Sequence, residues 1–132
     1  MLAVPTSMRW FLILVIAACS ESGSNGGPPP DDPFELTCES QGAQFPLLEK
    51  ACSVASDCFI ALHQVSCCGT EVAIGLSVAS QDAFTHSETE CAGAYPGCGC
   101  ASLPTAAEDG RSEVDGAIQV DCREQRCVTF VP

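Results

Sequence analysis

Basic side chains are scarce in this 132-residue sequence: five lysines and arginines stand against seventeen aspartates and glutamates, for a formal net charge of −12. A nucleic-acid surface needs a basic patch that contacts phosphates, so no nucleic acid is expected among the partners. The sequence also has no C-x-x-C pair, the spacing that thiol oxidoreductases use, and redox catalysis is therefore not expected.

Large aromatic side chains and long apolar runs are scarce as well. The single tryptophan, Trp10, begins an apolar run that ends at Ala18 and has nine residues, whereas a membrane-spanning helix needs roughly 20. The rest of the chain has one tyrosine, Tyr95, and mainly medium-sized aliphatic residues. A core this thin rarely contributes more than about 3–5 kcal/mol unaided, and small secreted domains supplement it with disulfides.

What is present at the N-terminus is a secretory signal pattern, in which Arg9 precedes the apolar run. A signal that begins at Met8 is tidier than one that begins at Met1, so both methionines are candidate start sites. The run ends in Ile16-Ala17-Ala18-Cys19, which resembles the lipobox of bacterial prolipoproteins. The alternative is an ordinary signal peptide followed by a chance cysteine.

The prolipoprotein resemblance implies that residues 1–18 are a removable signal peptide and that Cys19 carries the lipid, with fatty acyl chains such as palmitate. It also implies a lipid-anchored location on the bacterial cell envelope, and Ser20, in place of an aspartate, implies the outer membrane rather than the inner one. Residues 20–33 are rich in Gly, Ser, Pro and acidic residues, so 19–33 are predicted to be the lipidated cysteine and a disordered tether. Residues 34–132 are the predicted cysteine-rich globular head.

The cysteine count supports the same attachment site. Eleven is an odd number, and a leftover thiol is a liability in an oxidising compartment. If Cys19 carries lipid, ten cysteines remain and all of them can pair. Ten cysteines allow about 945 connectivities, so the pairing stays open. The predicted disulfide-bonded residues are Cys38, Cys52, Cys58, Cys67, Cys68, Cys91, Cys98, Cys100, Cys122 and Cys127.

Metal binding is the alternative use of these thiols. Cys67-Cys68 and Cys98-x-Cys100 lie in one block of sequence with His63 and His86. Structural zinc sites commonly use C-x2–4-C pairs, whereas the spacings here are zero and one. Exported thiols also tend to be oxidised before they meet a metal. We therefore predict no bound metal and no cofactor.

Local patterns predict a small disulfide-rich α+β head, with a short antiparallel sheet and one main helix. Residues 58–65 form a strand that is apolar on both faces. Residues 72–78 alternate, and their small face (Ala73, Gly75, Ser77) should lie close to another layer. A helix that Ser80 caps should follow, with a stripe of small residues against the sheet: Ala83, Ser87, Cys91 and Ala94.

Two further segments are expected to complete the head. Residues 45–48 should form a turn or a single helical turn on the core. Near the C-terminus, AIQVDC and CVTFV should be two strands around the four-residue turn REQR. In that hairpin we expect Ile118 and Val120 to lie opposite Val128 and Phe130.

Three features invite a chemical interpretation, and each has a simpler one. Ser77 lies in a loose match to the G-x-S-x-G elbow, which belongs to a large α/β sheet, so a small residue on a packed strand face is expected. His63 lies in an apolar run and should be a hydrogen-bonded structural histidine, whereas His86 should be solvated. The acidic loop 108–116 invites calcium but lacks the EF-hand order, with Val114 where glycine is needed.

We predict that the protein is not an enzyme and that the head acts by surface recognition of a protein partner or as an envelope structural component. The alternative is a small inhibitor or binder of a secreted hydrolase, which would present the loop 104–116. The cysteine pattern also resembles heads of uncharacterised bacterial lipoproteins, a resemblance that implies no activity. That pattern is Cys52-x5-Cys58, Cys67-Cys68-Gly69, Cys91, Cys98-x-Cys100 and Cys122-x4-Cys127.

Overall fold

The computed structural model describes residues 34–132, so the predicted signal peptide, Cys19 and the tether lie outside the described residues. Two antiparallel hairpins and one helix make up the head. The elements are β1 (Cys58–Gln64), β2 (Glu71–Ser77), α1 (Gln81–Gly93), β3 (Gln119–Arg123) and β4 (Arg126–Phe130), with single 3-10 turns at Ala55–Asp57 and Val78–Ser80. The predicted α+β class is confirmed, with two two-stranded sheets. Within 34–132 no helix has the length and apolar character to cross a membrane.

Strands β1 and β2 form the first hairpin, which turns at Gly69, where φ is +77°. One face of this hairpin packs on the core, and the other approaches β4. A Cβ atom on Gly75 would lie 2.6 Å from the backbone nitrogen of Val128, so only glycine permits this approach. The predicted close contact of the small face of β2 is thus confirmed. Leu62 and Val78 are exposed, because Leu62 lies on the open part of the sheet and Val78 lies beyond the end of β2.

Helix α1 buries a narrower stripe than the sequence predicts. Phe84, Ser87 and Cys91 are buried, whereas Ala83 and Ala94 are exposed, so those two assignments were wrong. Ser80 occupies the N-cap position, but its hydroxyl accepts the backbone N–H of Glu49 at 2.8 Å rather than one from the helix. The helix start is therefore tied to the segment before β1. Tertiary contacts, more than local capping, position this helix.

Strands β3 and β4 form the second hairpin through a two-residue turn, shorter than the predicted four. Glu124 and Gln125 both have positive φ, at 51° and 60°, as a type I′ turn requires. The turn is shorter because Arg123 also pairs with Arg126, while Cys122 pairs with Cys127 as a four-residue turn would require; in this register Val120 lies opposite Thr129 and not opposite an apolar residue. The expected pairing of Ile118 and Val120 with Val128 and Phe130 is therefore wrong by one position.

The core lies between the first hairpin, α1 and the segment that precedes β1. Residues 45–48 contain no helical turn; Leu48 instead bridges to Phe34 in an extended conformation and is fully buried. Phe45 still packs on the core as expected, with its ring centroid 5.9 Å from that of Phe84. The central buried residues are Leu48, Ala61, Ile74, Leu76 and Phe84.

Five disulfides cross-link the head, and they use all ten cysteines of the described range. Two of them join the loop 52–58 to the second hairpin, because Cys122 and Cys127 are cross-strand neighbours in β3 and β4. The full set is Cys38–Cys91, Cys52–Cys122, Cys58–Cys127, Cys67–Cys98 and Cys68–Cys100.

Candidate functional site

The two hairpins do not pair with each other, and a carboxylate joins their free edges. One oxygen of Glu108 accepts the backbone N–H of Gly75 in β2 at 2.9 Å and that of Thr129 in β4 at 2.8 Å. Its other oxygen pairs with the ammonium of Lys50, whose side chain is only 4% exposed. The Thr129 hydroxyl, also buried, donates to the carbonyl of Ala73 at 2.8 Å. Each buried donor at this junction thus has an acceptor.

Two extended segments complete the closure of these edges. The carbonyl of Glu49 accepts the N–H of Ser77, and the carbonyl of Lys50 accepts the N–H of Cys127. On the other side the carbonyl of Ala106 accepts the N–H of Ala73 at 2.8 Å. These contacts use side chains and segments far apart in sequence, and no local pattern around Glu108 indicates its role.

The carboxylates of the acidic loop accept hydrogen bonds from backbone N–H groups within the head. Asp109 accepts the backbone N–H groups of Val131 and Arg111, and these bonds lower the pKa of the Asp109 carboxyl. Asp115 accepts the backbone N–H and then the hydroxyl of Ser112, which lower its pKa in the same way. Carboxylates that satisfy backbone donors favour the interpretation of residues 108–116 as a structured, turn-rich loop over a calcium loop.

His63 lies where a structural histidine was predicted, and it is 3% exposed. Its Nδ1 is 2.6 Å from a carboxylate oxygen of Glu88 on α1, and its Nε2 is 3.2 Å from the carbonyl of Thr37. Both ring nitrogens thus have an oxygen partner, which is typical of a buried structural histidine. The other Glu88 oxygen accepts the N–H of Gln64, so this cluster joins α1 to the end of β1.

The structure does not bring Ser77 and His63 together. Ser77 pairs with Cys58 at one end of the first hairpin, whereas His63 pairs with Val72 near the other end. The Ser77 hydroxyl accepts the N–H of Ala79 and so caps the turn that follows β2. His86 is exposed on α1, 3.7 Å from a carboxylate oxygen of Glu90, as expected of a solvated side chain.

An open groove lies on the face of β1 that points away from α1. Ile60 and Leu62 alternate with the core residues of β1 and form its floor, and Leu62 is 45% exposed. Ala117 and Ile118, which lead into β3, form part of its wall. We call it the β1 groove. Its volume is ≈ 460 Å³, and its other lining residues are Glu71, Thr105, Glu113 and Gly116.

The charged residues that line the β1 groove are all acidic. Glu71 and Glu113 lie on its lining and no basic residue does. Three of the four basic residues in the head have partners within it: Lys50 pairs with Glu108, and Arg111 donates to the carbonyls of Val131 and Pro132 at 2.6 and 3.1 Å. The guanidinium of Arg123 lies 3.9 Å from the ring centroid of Phe130. The β1 groove thus combines an apolar floor with a negative rim.

The fold and its cross-links define a small disulfide-rich α+β domain, of a kind consistent with an extracellular or envelope protein. Comparisons with protein-family models, with curated proteins and with solved structures gave no match. The function therefore has to be inferred from the site itself.

Proposed function

We propose that this protein is a lipid-anchored recognition module of the bacterial cell envelope, which binds a basic, partly apolar segment of a protein partner in the β1 groove. The observation that carries this proposal is the half-exposed Leu62 in β1, between the buried residues Ala61 and His63. A leucine on such a floor gains free energy when a partner covers it, since burial of apolar surface is worth about 25 cal/mol per Å².

The choice of a basic partner follows from charge. The chain carries a net charge of −12, and the groove adds Glu71 and Glu113 at the point of contact. Complementary potentials accelerate association and suppress wrong partners, so lysine or arginine beside an apolar side chain fits this surface. An acidic partner would meet like charge at Glu71 and Glu113.

The binding test uses two synthetic peptides, one that alternates leucine with lysine and one that alternates leucine with glutamate. The lysine peptide should shift the NMR signals of Ile60, Leu62 and Ile118 in the full chain, and the shifts should weaken as salt is added. The glutamate peptide should not shift them. Leu62→Asn should abolish the response, whereas Leu103→Asn, at an exposed leucine outside the groove, should keep it. Equal binding of both peptides, or an undiminished response in Leu62→Asn, would contradict the proposal.

Anchoring through Cys19 is tested separately. Cells grown with labelled palmitate should incorporate the label into the wild-type protein and not into Cys19→Ser, and that variant should leave the membrane fraction or remain unprocessed. The matched control is Ser20→Ala, which should keep both label and location. A Cys19→Ser protein that still carries acyl chains would refute the anchor while leaving the groove untouched.

The inhibitor hypothesis for the loop 104–116 receives less support. Ala106, Glu108 and Asp109 bind this segment to the hairpin edges, so it is not a free-standing loop. Its exposed apolar residues, Leu103 just before it and Val114 within it, lie outside that attached stretch. No secreted hydrolase is therefore proposed as a target.

A further inference from the structure

Disulfide sulfurs gather at two places in the head, and the two places differ in exposure. In each, three sulfur atoms that belong to two different disulfides lie within 4.8 Å of one another. The first group lies under the second hairpin, and one of its members, Cys127, has no exposed surface. The second group lies at the surface. The groups are Cys52, Cys58 and Cys127, and Cys67, Cys68 and Cys100.

The surface group joins the β1–β2 turn to the segment that follows α1. Cys98 and Cys100 are exposed, as is every residue from 96 to 104. None of the central core residues lies in this segment, so cleavage of Cys67–Cys98 and Cys68–Cys100 frees a surface loop. The other three disulfides and the core cluster stay intact. Because a thiolate must reach the sulfur that it attacks, exposed disulfides exchange first.

We propose that Cys67, Cys68, Cys98 and Cys100 are a redox-gated zinc site: two disulfides when oxidised, and four thiolate ligands for one Zn²⁺ after reduction by a protein dithiol. In that step each S–S bond accepts two electrons and two protons from one dithiol, which becomes a disulfide. Zinc then binds the four sulfurs as thiolates and releases four protons.

Four thiolates at about 2.3 Å from zinc in a tetrahedron lie roughly 3.8 Å apart. The sulfurs of Cys67, Cys68 and Cys100 lie within 4.8 Å of one another, so this group is already near that spacing, while the sulfurs of each disulfide must separate once their bond is broken. The Cys98 sulfur, bonded to that of Cys67, supplies the fourth ligand. The backbone can adjust because Gly69, Gly97 and Gly99 flank the cysteines, and no atom lies within 4 Å of where their Cβ atoms would be. Thiolate ligands prefer zinc and Cu⁺ to hard cations such as calcium.

The first half of the test measures selective reduction. The full chain, purified in mild detergent, is treated with increasing amounts of a dithiol, alkylated and mapped by mass spectrometry. We expect a plateau at four labelled thiols per chain, all of them at Cys67, Cys68, Cys98 and Cys100, while far-UV circular dichroism stays native. Reduction of all five disulfides in one step would overturn the proposal.

The second half measures the metal. The selectively reduced chain, freed of dithiol without oxygen, should bind one equivalent of Zn²⁺ and give the visible spectrum of a tetrahedral thiolate site with Co²⁺. Cys67→Ser/Cys98→Ser removes one disulfide of the pair and should abolish this spectrum. The control Cys52→Ser/Cys122→Ser also removes one disulfide but should keep it. Four mapped thiols that hold no zinc, or a spectrum that survives in Cys67→Ser/Cys98→Ser, would overturn the proposal.

Discussion

Removal of the Glu108 carboxylate should destabilise the head more than any other single change to its acidic residues. The variant Glu108→Gln keeps an oxygen for the two backbone N–H groups but replaces the oxygen that faces Lys50 with an amide donor. The variant Glu108→Ala removes every contact. Comparison of the two therefore separates the ion pair from the hydrogen bonds that join the hairpins.

The magnitudes follow from burial. Loss of one partner of a buried ion pair costs about 3–5 kcal/mol, but 29% of the Glu108 side chain reaches solvent, so about 2–3 kcal/mol is expected for Glu108→Gln. Glu108→Ala also leaves the N–H groups of Gly75 and Thr129 without an acceptor, at roughly 1–3 kcal/mol each. Water will satisfy part of that loss, so a total of about 4–6 kcal/mol is expected.

The measurement is urea unfolding with the disulfides intact, followed by far-UV circular dichroism. Lys50→Met/Glu108→Gln removes the buried ammonium along with its partner and should recover most of the loss in Glu108→Gln. Glu124→Gln, at the exposed turn of the second hairpin, is the matched control and should change stability by less than about 0.5 kcal/mol. A Glu108→Ala protein within about 1 kcal/mol of wild type would refute the role of this junction.

Three other perturbations test the rest of the fold. Gly75→Ala should destabilise by about 3 kcal/mol or more, because its methyl group meets the backbone of β4, whereas Gly93→Ala, in open space on α1, should be tolerated; equal melting temperatures would contradict the close approach. Full reduction of all five disulfides should collapse the far-UV spectrum while metal chelators leave it unchanged, since the disulfides join residues 31 to 70 positions apart and each contributes about 4 kcal/mol in the chain-entropy model. A reduced protein with a cooperative melt would show that the core suffices. Hydrogen bonds from backbone N–H groups lower the pKa of three aspartates: Asp57, Asp109 and Asp115. The stabilisation that these carboxylates provide is therefore present at neutral pH and is lost as the pH falls below about 4. Replacement of all three by asparagine should reduce that loss in thermal melts, and an unchanged pH profile would argue against it.

Local patterns predicted the elements of the head well where one short stretch carries the whole signal. The alternation in residues 72–78 gave β2 and its small face, because the period of side-chain direction in a strand is fixed. The stretch that follows Ser80 predicted α1, although Phe84 and not Ala83 lies in its buried stripe. Glu124 and Gln125 have positive φ and form a two-residue turn, and neither residue type signals that conformation as Asn-Gly does.

The candidate sites were harder to predict, because they depend on contacts between distant segments. Glu108 lies 33 positions from Gly75 and 21 from Thr129, and its sequence neighbourhood predicts only a solvated carboxylate. The β1 groove exists because the second hairpin covers only part of β1, so Leu62 remains open. The disulfide pairing could not be predicted either, because ten cysteines allow about 945 connectivities and only the folded structure determines which cysteines lie close together.

The long disulfide spans have a consequence for how the head is made. Cys52 and Cys58 are synthesised 70 and 69 positions before their partners, which lie in the final hairpin. Until that hairpin emerges, the nearest thiol available to each of them is the other. Any bond that forms between them first has to be broken before the native pairs form, and disulfide reshuffling takes seconds to hours. The two native pairs can therefore form only after the final hairpin, close to the end of the chain, is available.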